Sequence, residues 1–227
     1  MTFQHEESGF RWSPHQCAES IGRDSRGGLE LLHGRLKWLG VDDLDAAQRE
    51  LYQHILAGPR SNTPRTTPMT DHEGRMHGPF NAMLVDPALG EAAQQLGAAV
   101  RYGSKLDGRT REIAILEVAR RHRSEFEFYA HRAIGEIAGL SEDELLAMQY
   151  GEDSESFSPS ERLVREVVAS LVVHHDLDDE LYARADESLG DVVLVDLVVL
   201  VGFYEYTALA LRVFRVPLPE GARQNFS

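Results

Sequence analysis

The sequence predicts an all-α, single-domain protein of about seven to eight helices. Three observations carry that prediction. Segments such as Leu44 to Leu56 set apolar residues (Leu44, Leu51, Ile55, Leu56) on one helical face. Start and stop signals recur along the chain: Asp86-Pro87, Ser141-Glu-Asp-Glu144 and Ser158-Pro-Ser-Glu161 open helices, and Gly139 and Gly190 close them. Alternating apolar and polar runs between turn dipeptides, the mark of strands, are nearly absent. No repeat of 20–50 residues is visible.

Taken in order, residues 1 to about 28 are polar and rich in His, Ser, Arg and Gly without a period. They read as a loose N-terminal arm that reaches about residue 40. A short amphipathic piece follows in it, marked by Leu29, Leu32, Leu36 and Leu39, and the helical domain occupies 41–227. The Leu44 to Leu56 helix ends at Gly58-Pro59. Pro59 to Pro79 contains four prolines, which exclude regular structure. It carries Arg60, Arg65, Arg75, His72 and His77, so it is locally basic in an acidic chain. Two readings stand for it: an anion-binding flap over a pocket, or a solvated connection.

Asp86-Pro87 supplies an N-cap and a first-turn proline to a helix through about Tyr102. The next helix, about Arg109 to His122, carries Ile113, Ile115, Leu116, Val118 and Ala119 and is largely buried. A third runs from Ser124 to Gly139. The two capping boxes start helices at Ser141 and Ser158, the latter reaching about His174. Asp178 to Leu189 forms another, and about Asp191 to Phe214 is valine-rich with a length that favours a buried helix.

Of the 227 residues, 42% are hydrophobic and 26% charged, as in ordinary water-soluble globules. A formal net charge of −14 argues against nucleic acid or an anionic membrane as partner, since both need a basic surface. The single cysteine, Cys17, excludes an internal disulfide and a Cys-x-x-Cys pair. The N-terminus has no basic region leading into an apolar run, and Val192 to Tyr204 is short of a bilayer span and contains Asp196. A cytoplasmic protein is expected.

Chemistry concentrates at Ser124, Glu127 and His131. Offsets of three and four put these side chains on one stripe of one helix. His131 can give and take a proton near neutrality, and Glu127, one turn earlier, is placed to orient its ring. Phe126, Phe128 and Tyr129 offer apolar walls that would perturb the pair. Glu112 lies on the preceding helix, and the tight Arg120-to-Ser124 connection makes the two helices antiparallel neighbours, so it can serve as a proton relay. The plain alternative is surface decoration. A metal site would need further ligands from His72, His77 or Glu112. His174-His175-Asp176 reads as a helix end, and Tyr204 and Tyr206 as core, pocket or interface residues. Phosphate-binding glycine loops, nucleophile elbows and Rossmann fingerprints are missing.

At these residues the chain resembles the carboxymuconolactone decarboxylase family, which includes the alkylhydroperoxidase AhpD-like proteins. The resemblance rests on Leu106-Asp-Gly-Arg-Thr-Arg-Glu112-Ile-Ala-Ile-Leu, Glu125-Phe-Glu-Phe-Tyr-Ala-His131 and Ala138-Gly-Leu-Ser-Glu-Asp-Glu144. It extends over about Leu44 to Phe214, including Gly78-Pro-Phe-Asn81 and Gly202-Phe-Tyr-Glu-Tyr. In the AhpD branch a glutamate precedes a Cys-x-x-Cys and a histidine four residues after the second cysteine. Here Glu112 and His131 match, whereas Ser124 and Glu127 stand at the cysteine positions. Thiol-based peroxide reduction is therefore not expected.

What the resemblance implies is a cofactor-free lyase of the decarboxylase branch. It would act on a small carboxylated lactone or keto acid, or move a proton on one. His131 would be the general acid, with Glu112 or Glu127 setting its protonation. Ser124, Arg109, His77, Asn81 and Tyr204 would bind the substrate, an arginine of the 60–75 loop or Arg109 holding its carboxylate. The resemblance also implies a homo-oligomer, trimer or hexamer. A metal-assisted enzyme and a non-catalytic ligand-binding oligomer are the alternatives.

Overall fold

The computed structural model describes residues 20–23, 29–62 and 68–226. The expectations for the first part of the arm, Cys17 and Arg65 lie outside them. Among the described residues the protein is mainly helical, with eight α-helices in a single unit. These are α1 (Ala46–Ala57), α2 (Pro79–Val85), α3 (Pro87–Tyr102), α4 (Gly108–Arg121), α5 (Glu125–Ile137), α6 (Glu142–Tyr150), α7 (Pro159–His174) and α8 (Asp179–Val213).

The caps read from the sequence do what their chemistry dictates. Asp86 accepts from the Leu89 amide ahead of Pro87. Ser141 and Glu144, and Ser158 and Glu161, close reciprocal capping boxes. Each satisfies amides that a helix start otherwise leaves unpaired, worth about 1 kcal/mol. At the other ends Gly139 (φ 96°) follows α5, and Gly190 (φ 77°) breaks α8 into 179–189 and 191–213, as the sequence implied. His174 and His175 are exposed where α7 ends.

Two segments depart from the sequence reading. Leu29 to Leu39 is not a helix-like piece but most of a small antiparallel sheet: β1 (Ser20–Arg23), β2 (Leu29–His33) and β3 (Leu36–Lys37) in the order β1-β2-β3. Leucines spaced three and four apart mimic a helix, yet Gly34, at φ 71°, makes the two-residue turn that flips the chain. That turn docks on the end of α8, the Arg35 amide donating to the Phe214 carbonyl at 2.8 Å. The second departure is Pro79. It does not extend the irregular stretch; it occupies the first turn of α2, where its missing N–H costs nothing.

α4 is the central element. Ile113, Ala114, Ile115, Leu116, Val118 and Ala119 are all fully buried, against α5, α6, α7 and α8. A second apolar cluster joins Leu51 and Ile55 of α1 to Met83 and Leu84 of α2. The outer face of α8 is different: Val192, Val195, Val198, Tyr206 and Leu209 are exposed. α8 is also the one described helix long and apolar enough to cross a bilayer, with a mean hydropathy of 1.9 in its most apolar stretch, 44% of which is buried in the protein.

Candidate active site

A cavity of about 110 Å³ opens where the two apolar clusters meet, between α2, α3, α5 and α8 and the segment before α2. It is of the order of the ~150 Å³ cavity that takes up benzene. Phe126, Phe203 and Met83 are among its apolar walls, and Glu127, His131, Arg101 and Tyr204 its main polar groups. Two glycines shape it. Gly97 lets Arg60 and Phe203 lie against α3, where a Cβ would come within 2.6 Å of both. Gly78 turns the chain at φ 63° beneath the Phe126 ring.

α4 and α5 place Glu112 opposite His131. The His131 Nδ1 is 2.6 Å from Glu112 Oε2. Glu112 is inaccessible to solvent, and burial disfavours its charge. The charges of His131, Arg101 and Arg111 outweigh that and hold its carboxyl below the usual range. An ionised Glu112 accepts and cannot donate, so Nδ1 carries the proton, and Nε2 is the basic nitrogen of the neutral ring. Arg101, from the last turn of α3, approaches Glu112 Oε1 at 3.5 Å and donates to the Tyr204 hydroxyl at 3.2 Å. The Tyr204 ring meets His131 edge-on, centroids 5.2 Å apart. Burial pushes the Tyr204 phenol up to about 12, against the opposing pull of Arg101, so it stays neutral.

Glu127 is the unusual member. It lines the cavity at 2% exposure, and neither carboxyl oxygen has a hydrogen-bond partner among the described residues. Burial pushes its carboxyl well above the usual range; the neighbouring Ser124 hydroxyl works the other way but is not placed to complete a well-formed hydrogen bond with either oxygen. A charge there would be costly, so the neutral acid is the form the site favours.

The structure thus brings Glu112, Glu127, His131 and Tyr204 together, with His77 at the cavity's edge. Glu112, not Glu127, is hydrogen-bonded to the His131 ring, since i to i+4 neighbours run parallel from a helix while Glu112 faces it from across the helix pair. Three other expected substrate-binding residues sit elsewhere. Arg109 does not line the cavity; it is bound to Glu144, to Glu161 at 2.5 Å and to the Gly139 carbonyl at 2.6 Å. Asn81 is a buried strut: its Oδ1 accepts from Leu39 N at 3.1 Å and its Nδ2 donates to the Lys37 carbonyl at 3.0 Å. Ser124 stands at the N-cap position of α5, buried and outside the cavity lining; its hydroxyl makes no capping hydrogen bond and acts on Glu127 instead.

The stretch 59–79 is partly a cavity wall: Arg60, Pro68, Met69 and His77 line it. Arg60 donates to the Gln94 carbonyl at 3.1 Å and lies over the Phe80 ring. Arg75 instead pairs with Asp71 at 2.7 Å and covers Trp38, and His72 is exposed. His77 stacks loosely with Trp38 and His33, and burial with the neighbouring His77 pushes His33 down to about 4. Arg101 is the residue that sequence reasoning missed. Its signal was faint: Gln94, Gly97 and Arg101 share one stripe of α3, a cation on an inward face. Among the described residues no group of three or more His, Cys, Asp or Glu side chains is placed to hold a metal ion.

Residues 87–170 match the model of the carboxymuconolactone decarboxylase family. No curated protein matches the chain. The matched stretch spans α3 to most of α7, and so contains Arg101, Glu112, Glu127 and His131. Tyr204, Arg60 and His77 come from flanking segments, which wall the cavity on its other sides.

Proposed function

We propose that the protein is a lyase acting on a small carboxylated lactone or keto acid, using His131 for proton transfer and no resident cofactor. The observation that carries this is the Glu112–His131 pair at the wall of an apolar cavity, with the Arg101 cation beside it. Loss of carbon dioxide breaks the bond to the carboxylate and sends its electron pair toward the neighbouring carbonyl oxygen. Apolar walls favour that step, because the starting carboxylate is poorly solvated there and carbon dioxide is neutral. Protonated on Nε2, His131 then delivers a proton to carbon, and Glu112 stabilises the imidazolium until that moment. Arg101 adds positive potential at the cavity, which suits an anionic substrate. The residues at the thiol positions of the AhpD pattern, Ser124 and Glu127, offer no thiolate, so a peroxidase of that type is not proposed.

Carbon dioxide release from 4-carboxymuconolactone and several β-keto acids tests the reading. His131→Ala is expected to lower the rate by ~10²–10⁴-fold while remaining folded. Undiminished release from the variant would remove His131 from the mechanism.

We also propose self-association through the exposed apolar face of α8, which fits the oligomer implied by the family. Val198→Asp, at the middle of that face, is expected to shift the species seen by light scattering toward the monomer. An unchanged mass would exclude this face as the contact.

A further inference from the structure

Within this reading of the site, one group has no assigned task. His131 is committed to proton transfer with Glu112, and Arg101 is engaged with Tyr204 and Glu112. Glu127 remains: a carboxyl 2% exposed, on the cavity wall, with both oxygens unpartnered among the described residues. Proteins rarely leave such a group in an apolar wall, because its lost hydration is not repaid. A ligand in the cavity would repay it.

We propose that Glu127 is the oxyanion donor of this site: its carboxyl O–H hydrogen-bonds the ligand's carbonyl oxygen, on which negative charge gathers as carbon dioxide leaves. The ligand class this selects is a β-carboxylated or vinylogously carboxylated carbonyl compound bound with its carbonyl toward Glu127. The electrons support that orientation. As the bond to the carboxylate breaks, its pair moves to the carbonyl oxygen and forms an enolate, and the Glu127 proton stays on Glu127 but shortens its bond to that oxygen. His131 then protonates carbon, the pair returns from oxygen, and His131 regains its proton from water. A departing carboxylate needs no donor, whereas the enolate oxygen does. A carboxylic acid kept neutral by apolar surroundings is a strong donor for that purpose, and burial holds Glu127 in this form.

The test uses p-nitrophenol, a single-ring mimic of the enolate oxygen, with the wild type, Glu127→Gln and Glu127→Met. The amide keeps a weaker donor; the thioether keeps volume and removes donors. Affinity for the nitrophenolate is expected to fall in the order wild type, Gln, Met, the last by ~10²-fold. Infrared difference spectra should show a protonated-carboxyl band in the wild type that is missing from both variants and shifts on adding p-nitrophenol. Glu127→Met serves as the folding control, because removing an unsatisfied carboxyl should leave the melting temperature unchanged or raised. Equal affinity across the three proteins, or an acid band that ignores the probe, overturns the proposal. The two readings fail separately. If the affinity order holds but no acid tested loses carbon dioxide, the donor role stands and the lyase reading falls. If carbon dioxide release depends on His131 yet is untouched in Glu127→Met, the lyase reading stands and the donor role falls.

Discussion

Glu112 and Glu117 lie five residues apart on α4, both closed off from solvent, and their surroundings differ in kind. Glu117 faces α7 and is paired with Arg120, with Arg121 at 2.9 Å and with Arg165 at 3.5 Å. Arg165 and Arg162 in turn hold Asp153. Guanidiniums and carboxylates alone make up that group of pairs. Glu112 faces α5 and shares its site with one imidazole, the Arg101 and Arg111 guanidiniums and an apolar cavity that also holds an unpartnered acid. Cations surround the first carboxylate on every side and fasten helices together. The second keeps a proton donor poised at a space, which is an arrangement that has a use only when something enters the space.

The largest effect should separate these roles. Glu117→Ala strips the counter-charge from three partly buried guanidiniums, and loss of one partner from a buried ion cluster costs about 3–5 kcal/mol. Denaturant unfolding should register that loss, while carbon dioxide release per folded molecule stays at the wild-type rate. A fall in that rate would mean that the two ends of α4 are not independent.

Arg109 sharpens the comparison at smaller scale. It belongs with the structural cluster in kind, joining the start of α4 to Glu144 of α6 and Glu161 of α7. Arg109→Met should lower stability by ~1–3 kcal/mol, as for lost charge-assisted hydrogen bonds, with substrate affinity unaltered. Weaker substrate binding would instead return Arg109 to the site for which the sequence nominated it.

Legibility of the site followed the same division. Helices, caps and the approach of Glu112 to the His131 side of α5 were readable because they depend on local spacing and one tight connection between α4 and α5, whereas Glu127 was expected to orient the ring and Glu112 does so. Arg109 misled because a cation near a motif carries no label for which side of its helix it serves. Here the capping box at Ser141 draws Glu144 toward it. Asn81 misled for a related reason: its amide satisfies the backbone at Leu39 and Lys37, and that sheet was invisible when leucines spaced three and four apart imitated a helix. Arg101 and Phe203 required knowledge of how α3 crosses α8, a long-range fact that no local pattern encodes. Glu127 was legible as a residue of interest but not as a neutral acid, since its state follows from burial that only the assembled cavity imposes.

The finest distinction lies between the two carboxyls of the site itself, which should move stability in opposite directions with pH. Glu112 is held below the ordinary carboxylate value of ~4.3. Between its folded and unfolded values the unfolded chain binds more protons, so its contribution is present above pH ~4.3 and is lost as pH falls toward the folded value. Glu127 is raised well above that reference. There the folded protein holds the proton that the unfolded chain has released, so the neutral acid's contribution is complete below pH ~4.3 and drains away as pH climbs toward the folded value. Each group can change stability by at most about 1.4 kcal/mol per pH unit. Unfolding free energies of the wild type, Glu112→Gln and Glu127→Met, measured from about pH 2 to about pH 8, a range that covers both windows, separate the two. The advantage of Glu127→Met over the wild type should grow with pH, because the variant has no proton to surrender. Glu112→Gln should flatten the acid side alone. A Glu127→Met advantage that is constant with pH would mean that Glu127 is ionised in the folded protein, and the cavity would then favour a ligand that donates to it.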